Sequence, residues 1–361
     1  MTSPLRIAVL PGDGIGPEIT AATISVLEQL NRSRRLGLAL EEHPVGLLAL
    51  ERHGNTLPDA VEQACRESHG VIMGPMGQLQ YPPREKGGRN PSGELRIALD
   101  LYANIRPARS REGLPHWGRA PMDLVIAREN TEGFYSDRNM HLGNGEFMPT
   151  PDLALSIRKI SAHGSRRIAK AAFDLARTRR RKVTAVHKRN VLKLTEGLFL
   201  REVRAVAHEY PDVELEEQLV DSMAALLVRD PARYDVLVTT NMYGDILSDE
   251  ATELSGSIGL AASINAGDAH CMAQAQHGSA PDIAGKDVAN PASLVLSAGM
   301  LLGWLGRRHG REDLAAAERA IEWAVDELVR HPATRTRDLG GQLGTKAWTS
   351  ALLAALDRRA T

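Results

Sequence analysis

Residues 5–19 read LRIAVLPGDGIGPEI, an apolar run that breaks into glycines and then into a helix start. A dinucleotide-binding loop of the form G-x-G-x-x-G directly after a strand lets backbone amides and a helix N-terminus meet a pyrophosphate. Here Gly12, Gly14 and Gly16 are spaced G-x-G-x-G, and Pro17 stands where the third glycine belongs. The stretch reads as a strand-to-helix corner whose missing third glycine counts against a pyrophosphate cradle.

Outward from that corner, strand-like runs alternate with helix-like segments: RIAVL and its helix, HGVIMG, MDLVIAREN, KVTAVHK before VLKLTEGLFLREVRAVAHEY, and YDVLVTTN before DILSDEATELSGS. Short buried strands separated by amphipathic helices imply an α/β architecture with a largely parallel sheet. The chain has 361 residues, 43% hydrophobic and 25% charged, enough to bury a core without staples. A net charge of −1 gives no global field toward nucleic acid or a membrane surface, so anion recognition has to be local. Cys65 and Cys271 stand far apart and outside any C-x-x-C, which suggests neither a disulfide framework nor a thiolate metal site. No signal-peptide pattern and no run of membrane-spanning length are found, so a cytoplasmic protein is expected. The basic run ARTRRRKV (176–183) has no interleaved aromatics and precedes a buried-strand pattern, so a solvated helix end is expected there.

Chemistry-bearing residues fall into four groups. Arg96, Arg106 and Arg128 could together present planar forks to carboxylates, although each taken singly reads first as a surface ion-pair partner. In NMYGDILSDE, Asp245 and Asp249 are four apart on one helix face; their repulsion is relieved by a divalent cation, or else Asp245 caps the helix and Asp249 is solvated. An all-oxygen pair suits Mg²⁺ or Mn²⁺ and needs a further carboxylate, for which Asp221 is a candidate. Lys188 ends a strand-like run and could serve as a base, and Tyr135 as a proton donor. The glycine-rich polar segment HGSAPDIAGKDVANP (277–291) could wrap an adenosine, with Asp282 accepting from ribose hydroxyls; an ordinary surface loop reads as well on composition.

In order and spacing, PGDGIGPE, LDLYANIRP, RENTEGFYS, VHKRNVLK, NMYGDILSDE and HGSAPDIAGKDVANP resemble the β-decarboxylating dehydrogenases: the isocitrate, 3-isopropylmalate, homoisocitrate, tartrate and D-malate enzymes. The resemblance implies the two-domain α/β fold of that family, which is not a Rossmann fold. Residues 1–100 plus 251–361 would form a discontinuous cofactor-side domain, and 101–250 a substrate and dimerisation domain. It implies an NAD-dependent, Mg²⁺- or Mn²⁺-assisted oxidative decarboxylation of a 3-substituted (R)-malate by a homodimer. Arg96, Arg106 and Arg128 would hold the malate carboxylates, Tyr135 and Lys188 would be the acid-base pair, and Asp221, Asp245 and Asp249 would bind the metal. Lys188 and Asp221 would reach across the dimer interface. Asn190 would lie near the nicotinamide; His277, Gly278, Ser279, Ala280, Asp282, Ile283 and Asn290 would hold the adenosine half. The Asp282-Ile283 pair is similar to the NAD-using members, where NADP users carry Lys-Tyr.

Substrate choice in that family resides just before Arg96, as Ser-x-Asn for isocitrate or Leu-Leu for isopropylmalate. This chain has RNPSGELR, neither pattern. Asn90 and Ser92, with Arg89 and the upstream Lys86 and Arg84, suggest a polar or anionic C3 substituent: isocitrate-, homoisocitrate-, tartrate- or phosphonomethylmalate-like. Two alternatives stand beside this reading: a 3-isopropylmalate dehydrogenase, and a non-catalytic regulatory subunit. Gln274, where family members often carry glutamate, is a further departure.

Overall fold

A computed structural model describes residues 4–135 and 145–360 of the chain. The elements are β1 (Leu5–Leu10), α1 (Gly16–Arg34), β2 (Leu38–Glu42), α2 (Leu47–His53), α3 (Asp59–Glu67), β3 (Gly70–Met73), α4 (Pro91–Ala98), β4 (Ala103–Arg109), β5 (Asp123–Glu129), β6 (Glu146–Thr150), β7 (Leu153–Ser156), α5 (Ala162–Arg177), β8 (Lys182–His187), α6 (Thr195–Ala207), β9 (Glu214–Leu219), α7 (Val220–Arg229), β10 (Val236–Thr239), α8 (Asn241–Ser255), β11 (Ile264–Ala266), β12 (Cys271–Gln274), α9 (Ala292–His309), α10 (Glu312–Arg330) and α11 (Thr345–Ala360). No helix among the described residues is long and apolar enough to cross a membrane.

Among the described residues, ten strands form one sheet in the order β2-β1-β3-β12-β11-β4-β5-β10-β8-β9. Outer blocks are parallel, as the buried apolar strands lead one to expect, but β12-β11, β11-β4 and β4-β5 pair antiparallel in the middle. The short β11, three residues long, is the seam between the blocks. Around the first block, α1, α9, α10 and α11 pack a core that includes the fully buried Trp348 and Leu301. Around the second, Phe173 of α5 and Phe199 of α6 pack on Ala127, Val183 and Val236.

The glycines form a tight strand-to-helix turn. Gly12 and Gly14 have φ of 81° and 59°, the left-handed region where a Cβ is strained. A Cβ on Gly14 would sit 2.0 Å from the Ser279 carbonyl oxygen, to which the Ile15 amide donates at 2.9 Å. The corner is thereby fastened to the 277–291 loop. Asp13, within the same corner, is buried and accepts from the amides of Leu47 (2.7 Å) and Gly77 (2.8 Å) and from the Tyr81 hydroxyl (2.5 Å). The basic run is likewise engaged in this chain: Arg177 pairs with Asp212, Arg179 with Asp235, and Lys182 with Glu216. These pairs fasten the end of α5 and the start of β8.

Because side chains alternate across a strand, Ile105 and Pro107 of β4 face away from Asn104 and Arg106. They line a cavity of about 780 Å³ together with Trp304 and Trp323. Glu318 also lines it, its carboxyl close enough to α9 that a Cβ on Gly303 would meet it at 1.8 Å. Desolvation pushes the Glu318 carboxyl up to about 7, opposed by Arg307 and reinforced by Glu322.

Two outcomes are expected. Gly14→Ala should destabilise the fold by about 2 kcal/mol, seen as a lower urea midpoint, because strained φ and the Ser279 clash add. For Glu318, the unfolded chain releases its proton near pH 4.5 while the folded chain holds it to about 7. Stability from this group is therefore lost as pH rises through that window. Chemical denaturation at pH 4.5 and 7.5 should show a steeper decline for wild type than for Glu318→Gln.

Candidate active site

The β4-β5 register sets Asn104 opposite Arg128 and Arg106 opposite Ile126, which places both arginines on one face of the sheet. Arg128 lies where β5 ends, beside the end of β10 from which α8 starts. Gly244 in the first turn of α8 lets the arginine lie across it, since a Cβ there would be 2.6 Å from Arg128 Cγ. The Arg128 guanidinium donates to the Asn241 carbonyl (2.9 Å), to Asn241 Oδ1 (2.7 Å) and to Asp245 Oδ1 (2.5 Å). Arg106 Nη1 donates to Ser248 Oγ at 2.8 Å and stands 3.3 Å from both Asp245 Oδ1 and Asp249 Oδ1. Thus the two α8 carboxylates converge on one cationic point. Thr240, and not Asp245, is the residue at the N-cap of α8.

Burial holds the Arg106 guanidinium below the usual arginine range, against the pull of Asp245 and Asp249; Tyr135 is close enough to act on it as well. Arg106 Nε is buried and has no partner among the described residues. Arg96 on α4 reaches the cluster from the other lobe of the sheet: its Nη2 is 3.3 Å from Gln274 Oε1, which also accepts from Ser92 Oγ at 3.1 Å. Arg96, Arg106, Gln274, Gln276 and His277 line one cavity of about 150 Å³.

Asp245 and Asp249 are carboxylates that could hold a hard divalent cation; in this chain the cation between them is Arg106 Nη1, 3.3 Å from an oxygen of each. Among the described residues no group of three His, Cys, Asp or Glu is gathered for a metal. The third sequence candidate, Asp221, starts α7 and is paired with Lys188 Nζ at 2.8 Å, which holds its carboxyl below the usual range. Within this chain those two residues pair with each other and not with the α8 aspartates. They nonetheless share a sheet edge with them, since Lys188 follows β8 and Asp221 follows β9, both parallel to β10. Asn190 is exposed just beyond Lys188.

Other sequence candidates are placed differently. Arg89 is not free to meet a substrate anion, which corrects the expectation: Nε donates to Glu94 (2.7 Å), Nη1 to the Leu57 carbonyl (2.7 Å) and Asp59 (2.9 Å), and Nη2 to Glu62 (2.8 Å). Arg84 pairs with the same Glu94. Asn90 caps α4 by accepting from the Gly93 amide at 3.0 Å. In the 277–291 segment, Asp282 and Gly278 are exposed, Ser279, Ala280 and Ile283 half-buried. His277 Nδ1 faces the Gly278 carbonyl at 3.1 Å, its Nε2 is buried without a partner among the described residues, and burial pushes its pKa down. A neutral ring then offers Nε2 as an acceptor, as an adenine amino group would need. Asn290 is tied to Asp338 (2.9 Å), and its Oδ1 accepts from the Ala292 amide (3.0 Å) where α9 begins.

Sequence reasoning missed three supports. Asn241 holds Arg128, and its place at the head of NMYGDILSDE was a usable signal. Gln276 donates to Asp249 Oδ1 at 2.7 Å, across 27 residues of sequence. Glu196, fully buried, pairs with Arg158 (2.5 Å) and accepts from the Lys188 amide (2.8 Å), so it sets the backbone from which Lys188 projects. Removing Arg158 leaves that buried carboxylate without its cation. Arg158→Leu should cost about 3 kcal/mol in urea denaturation at neutral pH.

Compared with known proteins, residues 6–355 match the family model described as isocitrate/isopropylmalate dehydrogenase. The isocitrate/homoisocitrate dehydrogenase of Thermus thermophilus is 42% identical over 356 residues, covering 97% of this chain and 98% of that one. The 3-isopropylmalate dehydrogenase of Saccharolobus solfataricus is 39% identical over 342 residues, 94% and 96% of the two chains. Among solved structures, the isocitrate dehydrogenase of Methylococcus capsulatus superposes with a TM-score of 0.85 at 39% identity, covering 97% of this chain and 99% of that one.

Proposed function

This chain belongs to the isocitrate/isopropylmalate dehydrogenase family and is an oxidoreductase, and from that premise we propose that it oxidatively decarboxylates a 3-substituted (R)-malate with NAD⁺ and Mg²⁺ or Mn²⁺. The observation that carries the reading is the convergence of two arginines and two carboxylates beside the Arg96 cavity, with Arg106 3.3 Å from both Asp245 and Asp249 and Arg128 2.5 Å from Asp245. That arrangement offers forks for two carboxylates next to an all-oxygen cation site. Asp282-Ile283 supports NAD⁺, since an exposed carboxylate there repels a 2′-phosphate.

When bound, the divalent cation supplies Lewis-acid stabilisation of charge developing on the C2 oxygen, and the nicotinamide accepts the hydride. The protein's own residues do the rest. Arg96, Arg106 and Arg128 hold the carboxylates and fix C2. Lys188 takes the hydroxyl proton as hydride leaves C2, giving the 2-oxo acid. The bond from C3 to its carboxylate then breaks, CO₂ departs, and its electron pair becomes an enolate. Tyr135 returns a proton to C3.

Lys188 serves this chemistry in a second copy of the chain, in our reading. Its own pairing with Asp221 leaves both on an exposed face, and the neighbouring Val191 and Leu194 are 64% and 88% exposed. The β6-β7 ribbon carries Phe147, Met148, Leu153 and Leu155, all exposed, on two strands with no other sheet partner among the described residues. Such a ribbon is marginal alone and is stabilised by a mate. A homodimer that covers it and brings Lys188 and Asp221 to the partner's α8 aspartates satisfies both demands.

The C3 substituent is polar in this reading, carried now by Ser92 and Gln274 and no longer by Arg89. Activity should be assayed as NADH absorbance with Mg²⁺ over isocitrate, homoisocitrate, 3-isopropylmalate, D-malate and tartrate. A polar-substituted malate should have the highest kcat/KM; best turnover of isopropylmalate would sink the polar reading and favour the 3-isopropylmalate alternative that relatives of that name raise. Lys188→Met should lower kcat by about 10³-fold with the fold intact, whereas a regulatory subunit would be indifferent to it.

A further inference from the structure

The strand end after β12 carries a second amide whose two halves are used unequally. Gln276 Nε2 donates to Asp249 Oδ1 at 2.7 Å, with Thr252 Oγ1 more distant at 3.4 Å. Its orientation follows from that contact, because turning the amide over would set two oxygens against each other. The carbonyl Oε1 therefore points away from Asp249, and it is buried with no donor among the described residues. Gln276 lines the same cavity of about 150 Å³ as Arg96, Arg106 and Gln274. A buried acceptor with no donor in its own chain takes one from a water or from whatever displaces that water in the cavity.

No donor among the described residues serves Oε1, the unpartnered Arg106 Nε of the same cavity included. Gln274 Oε1 is itself an acceptor, taking hydrogens from Ser92 and Arg96, and Arg106 Nη1 is directed at Ser248 and the aspartates. Two molecules of the proposed reaction could bring a donor here: a malate with a hydroxyl on C3, or a cofactor through the N–H of its carboxamide. Both present the same chemistry, a neutral O–H or N–H beside the carboxylate-binding arginines. A 3-alkyl substituent would leave Oε1 buried and unpaired, and a second carboxylate would oppose it.

We infer that Gln276 is a specificity-determining residue: Asp249 aims its carboxamide so that the carbonyl oxygen accepts a hydrogen bond from a neutral donor on the bound ligand. This rests on the dehydrogenase reading and narrows it, from a polar substituent to a hydrogen-bond donor at one place. It also gives Asp249 a fixed oxygen, Oδ1, on the Gln276 side.

Calorimetric titration of the full chain with Mg²⁺ and no turnover tests it in two arms. In the first, 3-hydroxymalate is compared with 3-methylmalate of similar size; in the second, NAD⁺ with the analogue whose carboxamide is an acetyl group. Wild type should bind the donor-bearing member at least about tenfold more tightly in one arm, which identifies the source of the donor. Gln276→Met, a similar length without the carbonyl, should bring that ratio to within about threefold. Equal binding within both pairs by wild type overturns the inference, whatever the variant does, while the dehydrogenase reading stands on the binding itself. Binding of neither malates nor NAD⁺ by wild type would overturn that reading and the inference with it.

Discussion

Everything in the cleft depends on keeping two buried guanidiniums charged. Arg106 and Arg128 are 7% and 3% exposed, and taking such ions out of water is costly unless opposite charge and hydrogen bonds meet them. Asp245 and Asp249 supply that charge from a single helix face, and Asn241 and Ser248 supply further acceptors, leaving Arg106 Nε without one among the described residues. Each side of the cluster needs the other: without the arginines, two carboxylates four residues apart repel, and without the carboxylates the arginines could not be buried. The result is a compact array of both signs held by side chains that a diffusing anion and cation could each engage.

Strand alternation then separates this array from the rest of the molecule. On β4, Arg106 faces the cleft while Ile105 and Pro107 face the large cavity on the opposite side. The antiparallel β12-β11-β4 stretch lies between two parallel blocks, so one strand thickness divides the two cavities at the seam. Arg96 and Gln274 come from the first block, and Arg128 and the aspartates from the second. Arg106 on β4 is the member placed to answer to both.

Much of this was legible in the chain, for reasons that differ by element. The parallel strands were readable because burial on both faces makes continuous apolar runs such as MDLVIA and DVLVTT. The glycine corner was readable as a strand-to-helix turn because its glycines fall directly between an apolar run and a helix start. Asp245 and Asp249 were readable as a pair because helix geometry is local. What escaped were side chains whose job is set by partners far along the chain. Arg89 reads as a cation beside a substrate loop, yet Glu62, Glu94 and Asp59 take all of its fork. Nothing local announces that, because two of those acids lie on another helix about 30 residues earlier. Gln274 read as a departure without a consequence, and only the fold brings it to Ser92 and Arg96, 182 and 178 residues away in sequence. The antiparallel β11 was missed because three residues are too few to carry a period.

The same logic explains why Lys188 and Asp221 are the least settled members within one chain. A lysine and an aspartate 2.8 Å apart on an exposed face satisfy each other, and an exposed pair of that kind adds little stability. Yet the backbone beneath Lys188 is fixed by a fully buried carboxylate, Glu196, which is itself held by Arg158 under the rings of Phe134 and Tyr243. A buried ion pair placed under a surface lysine is a poor investment for a solvated side chain. In the homodimer proposed above, that rigid root is what a lysine needs if its tip is to leave Asp221 and project into a site completed by another copy.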